Sequence, residues 1–312
     1  MSVRGTIFPC ENAQSYEEAI GHVTELFYPE EREKISEALL RKIDLFKEYF
    51  LVIGAFTHAS TQTIISIKKQ HKASWSDLAF RVFPANQMQE MARDFYGSDR
   101  KKEGWLVSEW MVDTQSVRPH HECVFVEKIG GAIKVLSIDR RPNFEGIKNY
   151  VLASFLPFGL PLHMYVSTQK RQHDWSQCPI LTLDDLRQLY MMNDTQELYS
   201  FIEKTHTSME MDREQKWKLF NSPYVLPQFM RLAQSVNDVM IYEKAVVEKG
   251  LIDRQAFEKV KAKMYQKNPE WESRGLEPNM LNRRITNRYI KYGRMLVDRI
   301  LSDIPPVSQK LL

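Results

Sequence analysis

The sequence is short of net charge, of cysteine and of long apolar runs, and each shortage removes a class of protein. Its 43 basic and 40 acidic side chains leave only +3 over 312 residues. So small a bias argues for neither nucleic acid nor a membrane surface, and any polyanion site has to be a local cluster. The three cysteines, Cys10, Cys123 and Cys178, cannot all pair. None stands in a CxxC or other zinc spacing, so no metal site is expected, and a reducing compartment is favoured over a secretory one. The longest apolar run, residues 50–56, is interrupted by Gly54 and falls far short of the ~20 residues that span a bilayer. A soluble chain without stable membrane insertion is expected. Residues 1–16 lack the basic, apolar and small-residue order of a cleavable signal peptide. There is no GxGxxG, P-loop or EF-hand pattern, no internal repeat and no low-complexity tract.

What is present is the composition of a folded globular protein, 43% hydrophobic, 11% aromatic and 27% charged, long enough for one large domain or two modest ones. Ser15 and Glu18 form a capping box that opens a helix to about residue 27, and Pro29 opens a second to about residue 50. Short apolar runs at 51–56, 78–83, 105–112, 123–126, 133–138 and 162–166 then read as strands, with helices at 61–72, 84–96 and 144–156 between them. The Gly130-Gly131 pair marks a hairpin turn at 128–131. Beyond Cys178 the strand signals nearly vanish. Helices are expected at 177–192, 195–204, 227–249, 254–266 and 280–301, with a loop at 267–278. The fold class is therefore α+β, a mixed sheet of five or six strands flanked by helices, followed by a helical C-terminal third.

Cysteine catalysis needs a thiol, a base, a group that orients the base and donors for an oxyanion. Cys178 lies between a polar turn, 172–177, and an apolar-periodic run (Ile180, Leu183, Leu186, Leu189). That order places it at a helix N-terminus, where unsatisfied N–H groups and the dipole favour a thiolate, and Pro179 is tolerated in a first turn. His121 opens one strand of the hairpin and Asp139 ends the other, so a carboxylate and an imidazole share one end. Gln172 precedes the thiol closely enough for its amide to face an oxyanion. His120 competes with His121 as base. Alternation puts Cys123 and Phe125 on the face of His121, and Glu122 and Val124 on that of His120; a charge on the buried face is disfavoured, which selects His121. Asp184-Asp185 reads as a solvated helix face, and the remaining histidines have no ligand spacing. A buried cysteine with no such company would be an ordinary core residue.

Three passages carry a resemblance. Gln172-His173-Asp174-Trp175-Ser176-Gln177-Cys178-Pro179-Ile180-Leu181-Thr182-Leu183, running on to Leu189-Tyr190, is similar to a Gln-x5-Cys-x-Ile-Phe-Ser-Leu motif that ends in a Leu-Tyr helix. His121-Glu122-Cys123-Val124-Phe125-Val126, a glycine turn and Val135-Leu136-Ser137-Ile138-Asp139 resemble a His strand and an acid strand. Leu226-Pro227-Gln228-Phe229-Met230-Arg231-Leu232-Ala233-Gln234-Ser235 resembles a Leu-Pro-x-x-Phe-Tyr-Lys-His-Thr-Gln segment. Together and in this order they resemble the YopJ/AvrA family of bacterial effector acetyltransferases, in the papain-like cysteine clan shared with ubiquitin-like-protein proteases. The likeness runs from about residue 30 to 290. The chain departs from the family in having Asp139 where Glu is commoner and Pro179 after the cysteine. Met230-Arg231-Leu232 stands where the family's self-acetylated lysine lies, with charge kept.

The resemblance implies a leader and first helix over 1–28, a catalytic α/β core over 29–205 and a helical regulatory region over 206–312 packed on the core. It implies acetyl transfer from acetyl-CoA through a Cys178 thioester to Ser, Thr or Lys of a host protein such as a signalling kinase. His121, Asp139 and Gln172 would serve the reaction, after secretion by a bacterium into the host cytoplasm. It also implies activation by inositol hexakisphosphate, for which Arg231, Arg283, Arg284, Arg288 and Lys291 are the candidate ligands, the last four on one basic stretch that includes Arg294 and Arg299. Two other readings share the fold: a cysteine protease for ubiquitin-like conjugates, disfavoured because Glu122 takes the place of an aromatic that covers a Gly-Gly tail, and an inactive binding module.

Overall fold

Sheet register is what delivers the reactive residues to one place. The structure is a computed structural model, described for residues 33, 58–112, 117–138, 144–169, 171, 178–231, 233, 235–268, 291, 292, 295 and 299. It divides into two compact units, Met1–Asp77 with Asn287–Leu312, and Leu78–Thr286.

In the first unit the described elements are α1 (His58–His71) and the short α2 (Ala73–Ser76). Residues 291, 292, 295 and 299 are helical as well. Ile64, Ile65 and Ile67 of α1 are buried, with Trp75 of α2.

The second unit is built on one sheet. Its elements are β1 (Phe80–Pro84), α3 (Met88–Gly97), β2 (Lys102–Val112), β3 (Val117–Ile129), β4 (Ala132–Ile138), α4 (Phe144–Phe155), β5 (Leu162–Ser167), α5 (Cys178–Met191), α6 (Gln196–Thr205), β6 (Ser208–Met211), β7 (Trp217–Ser222), α7 (Pro227–Met230), α8 (Val236–Tyr242) and α9 (Arg254–Lys267). The seven strands run in the order β1-β2-β3-β4-β5-β7-β6. The central pairs β2/β3 and β3/β4 are antiparallel, and β4/β5 and β5/β7 are parallel. Gly130 and Gly131 turn β3 into β4 with φ of +60° and +76°, the left-handed values that a two-residue hairpin turn asks of both positions.

Both faces of the central strands are covered, which explains why those strands read as near-continuous apolar runs. On one face α3 and α4 pack against Trp105, Val107, Val124, Val126 and Val135, with the Phe155 ring stacked on Trp105 at 5.7 Å. The alternate residues face α5 and α6: Phe125 meets Tyr190 at 5.6 Å, and Tyr165 meets Tyr199 at 4.4 Å.

The structure departs from the sequence expectation in two respects. The sheet has seven strands, not five or six, because β6 and β7 join it at 208–222, beyond residue 205. Both were hidden among the charges of 210–218, and every residue of β6 is exposed, so its short Ser-Met-Glu-Met alternation marks no buried face. The helix expected over 227–249 is broken: α7 ends at Met230, and Ser235 restarts the chain as the N-cap of α8, its hydroxyl accepting from the Asp238 N–H at 3.2 Å. The strand at 51–56 and the helices at 15–27 and 29–50 lie outside the described residues apart from residue 33, as do most of the loop at 267–278 and of the helix at 280–301.

Gly104 of β2, opposite Phe80 in the parallel β1/β2 pair, is where the sheet and α5 close most tightly. A Cβ there would sit 2.8 Å from the Phe80 ring and 3.1 Å from Leu186. Gly104→Ala should therefore lower stability by about 1–3 kcal/mol, the usual cost of overpacking, read as a fall in the urea midpoint at unchanged slope.

Candidate active site

Cys178 is the first residue of α5, and its thiol lies against the backbone of His121, 57 residues earlier. The Sγ–H donates to the His121 carbonyl at 2.9 Å, and the His121 N–H reaches Sγ at 3.4 Å. Thr182, one turn into the helix, donates its hydroxyl to the same carbonyl at 3.1 Å. Cys178 and His121 are 1% and 3% exposed. His121 stands opposite Ser108 on β3, on the α5-facing side with Cys123 and Phe125. No acidic side chain occupies the first turn of α5, so no carboxylate of that turn offsets the positive end of the helix at the thiol.

The far end of α5 is fixed as well. The Tyr190 hydroxyl donates to the Lys102 carbonyl at 2.9 Å and accepts from the Ala79 N–H at 3.2 Å. Burial pushes its phenol up to about 12, so it remains a neutral donor through the physiological range.

Of the expected reactive residues, the structure brings His121 and Cys178 together. Asp139 and Gln172 lie outside the described residues, as does the side chain of His120. The described β3/β4 register ends on Cys123–Ile138, one residue short of Asp139. Glu122, on the other face of β3, is buried as well, at 3% exposure, with the Ser137 hydroxyl donating to its carboxylate, so a charged neighbour does not separate His121 from His120 as expected. Strand β3 is enclosed on both sides, so a charged neighbour does not mark the outer face.

A second correction concerns Asp184 and Asp185, which are not a solvated helix face. They are 4% and 0% exposed, and each takes an arginine. Arg171 forks onto Asp185, Nη1 to Oδ1 at 3.1 Å and Nη2 to Oδ2 at 2.8 Å, and Nη1 also donates to the Phe229 carbonyl at 2.7 Å. Arg231 donates from Nη2 to Asp184 Oδ2 at 2.8 Å and from Nε at 3.3 Å. Arg231, expected among the anion ligands, is thus committed to α5. Sequence reasoning missed Arg171 altogether, since a lone arginine before a polar turn carries no signal of burial.

The other candidate anion ligands divide. Arg283, Arg284 and Arg288 lie outside the described residues. Lys291 lines a cavity of about 440 Å³ in the first unit with Ile67, Lys68, His71, Lys72, Met295 and Arg299. The Lys68 ammonium also sits 4.6 Å from the Tyr292 ring centroid, within cation–π range. Lys68, His71 and Lys72 were not singled out from the sequence, although the basic last turn of α1 was there to be read. Among the described residues no cluster of His, Cys, Asp and Glu is arranged to hold a metal ion, and no described helix is long and apolar enough to cross a membrane.

If Arg231 serves α5, Arg231→Gln should destabilise the anion-free protein by about 2–3 kcal/mol. That is less than breaking a wholly buried pair, because Arg231 keeps some exposure. Urea denaturation without polyphosphate checks this; an arginine that faced a bound anion would leave that measurement unchanged or improved.

No family model matches the chain, and no curated protein does. Solved structures do. One described as AvrA with IP6 and CoA aligns over 91% of this chain and 99% of its own, at 13% identity and a TM-score of 0.51. HopZ1a with IP6, and HopZ1a with IP6 and CoA, align over 92% of this chain and 98% of theirs, at 9% and 10% identity and TM-scores of 0.46 and 0.45. At 13% identity the likeness is one of fold, and the α+β fold found here is the one shared with the AvrA structure.

Proposed function

We propose that the chain is an acetyltransferase of the YopJ type, an effector that a bacterium delivers into host cytoplasm. The observation that carries the reading is the meeting of Cys178, at the N-terminus of α5, with His121 on the enclosed strand β3, in a fold shared with an AvrA structure described with IP6 and CoA. The Cys178 proton passes to the His121 imidazole, and the thiolate attacks the thioester carbonyl of acetyl-CoA. The C–S bond to coenzyme A breaks, the coenzyme leaves as its thiol by taking the proton from His121, and Cys178 carries the acetyl group. A Ser or Thr hydroxyl or a Lys amine of a host protein, such as a signalling kinase, then attacks that thioester while His121 takes its proton; the C–S bond to Cys178 breaks, the acetyl group stays on the acceptor, and the proton returns from His121 to the Cys178 thiolate. Asp139 is assigned to orient the imidazole. Gln172 and the Cys178 N–H are assigned to hold the oxyanion.

Inositol hexakisphosphate is the proposed activator. The cavity lined by Lys68, His71, Lys72, Lys291 and Arg299 has the donor chemistry for a polyphosphate: three ammonium groups, a guanidinium and an imidazole converging on one space. Binding there would stabilise the folded unit by mass action. Arg283, Arg284 and Arg288 belong to the same proposed set.

Incubation of the purified protein with acetyl-CoA and inositol hexakisphosphate should give an adduct of about 42 daltons, one acetyl group on the nucleophile. Intact-mass measurement should find it on the native chain and not on Cys178→Ala. No adduct, with labelling of Cys178 by a ubiquitin-type probe, would replace transfer by hydrolysis. Silence in both would leave a binding module. Separately, the double charge reversal Lys72→Glu with Lys291→Glu should weaken inositol hexakisphosphate at least ~tenfold by titration calorimetry. The remaining affinity should fall with added salt, as exposed ion pairing does.

A further inference from the structure

We infer that Lys134, His163 and Lys218 form a binding site for a phosphate-type dianion on the sheet of the second unit, sharing no residue with the Cys178 site or with the cavity of the first unit. The three stand side by side on adjacent parallel strands: Lys134 of β4 pairs in register with His163 of β5, and His163 pairs with Lys218 of β7. Residues paired in this way leave a sheet on the same face, on strands about 4.8 Å apart. Tyr165, two residues on from His163, shares that face and meets Tyr199 of α6, so the row lies on the α6 side. It is remote from the nucleophile. Glu127, which pairs with Lys134, is six residues along β3 from His121, roughly 20 Å at the rise of a strand.

Like charges set opposite one another in a sheet repel, and the acids nearby are taken up by hydroxyls. Glu203 of α6 accepts from the Tyr165 hydroxyl at 2.8 Å, and Glu127 accepts from the hydroxyls of Thr195 and Tyr199. The row adjusts at its centre instead. Burial pushes the His163 imidazole below its ordinary range, and the ammonium groups of Lys218 and Lys134 push it the same way, against the opposing pull of Glu203. His163 is therefore neutral at physiological pH, and the row rests with two charges. A dianion held between the ammonium groups reverses the field at the imidazole, which then takes up a proton and becomes a third charged donor. Lys134 is already oriented for this, its ammonium donating to Gln196 Oε1 at 2.8 Å and lying 4.6 Å from the Tyr199 ring centroid. All three side chains are half-buried, open to a ligand yet partly shielded from water, where charge pairs gain strength. A phosphate group matches them with close to two negative charges and three acceptor oxygens.

The Hε1 resonance of His163, identified by its loss in His163→Gln, reports on this site apart from any anion held elsewhere. Titration of the full chain with inorganic phosphate at neutral pH should move that resonance saturably and raise the pH midpoint of its titration, and sodium chloride at matched ionic strength should do neither. In Lys218→Gln the phosphate dissociation constant should rise at least ~fivefold, the loss of one charge-assisted bond at a half-exposed site. A chloride response equal to that of phosphate, or an unchanged dissociation constant in Lys218→Gln, overturns the inference. Should Lys218→Gln fail to fold, the same comparison is read on Lys134→Gln. A phosphoserine peptide in place of inorganic phosphate separates the two sources of the group. Tighter binding of the peptide assigns the site to a phosphorylated protein, and equal or weaker binding assigns it to free phosphate.

Discussion

Two adjacent carboxylates inside one helix are the constraint from which much of the second unit follows. Taking an ion out of water costs several kcal/mol even after the protein relaxes, and α5 buries Asp184 and Asp185 side by side. The helix cannot pack until each has a cation, and the cations come from segments distant in sequence, Arg171 before the helix and Arg231 after α7. Meeting that demand draws the Leu226–Ser235 passage onto α5, where Leu226, Phe229 and Met230 are buried in turn. It also accounts for the break after α7: the chain that bends so that Arg231 meets Asp184 needs a fresh N-cap at Ser235 before α8 can start. A helix that looked amphipathic is enclosed on every side, and its polar residues are internal ties.

At the head of the same helix two effects of similar size oppose each other. The positive end of α5 favours a thiolate by roughly 0.3–2 kcal/mol. The bond from Sγ–H to the His121 carbonyl favours the protonated thiol by about 0.5–1.5 kcal/mol. Neither dominates. Thr182 enters this balance because it donates to the same carbonyl and keeps that oxygen partnered when the thiol gives up its proton. The thiol is held in place by the His121 backbone, through its carbonyl and its N–H.

The helix start at Cys178 was readable from sequence because a polar turn, a proline and an apolar period are all local. So was the β3/β4 hairpin, where Gly130 and Gly131 announce their left-handed backbone. The meeting of His121 with Cys178 was readable only as a resemblance, since no local pattern specifies a contact across 57 residues. The Asp184–Asp185 burial was not readable, because a pair of acids on an apolar helix has the same letters whether it meets water or two arginines. Strands β6 and β7 escaped for a related reason: β6 is the edge strand and is exposed along its length, and β7, between β5 and β6, buries only two of its residues, so neither needs an apolar run. The cations that converge on the cavity of the first unit come from α1 and from residues 291–299. Their neighbourhood is tertiary, and each stretch alone reads as a solvated basic face.

The enclosure of β3 bears on the choice between transfer and hydrolysis. Successive side chains of a strand point to opposite faces, so Glu122 leaves the sheet on the side away from α5, where the Ser137 hydroxyl meets it. Position 122 therefore lies beneath the sheet and away from the thiol, and its not being aromatic does not separate transfer from hydrolysis. Cys178, itself 1% exposed, is packed between α5 and β3, and that burial restricts water and an acceptor side chain alike.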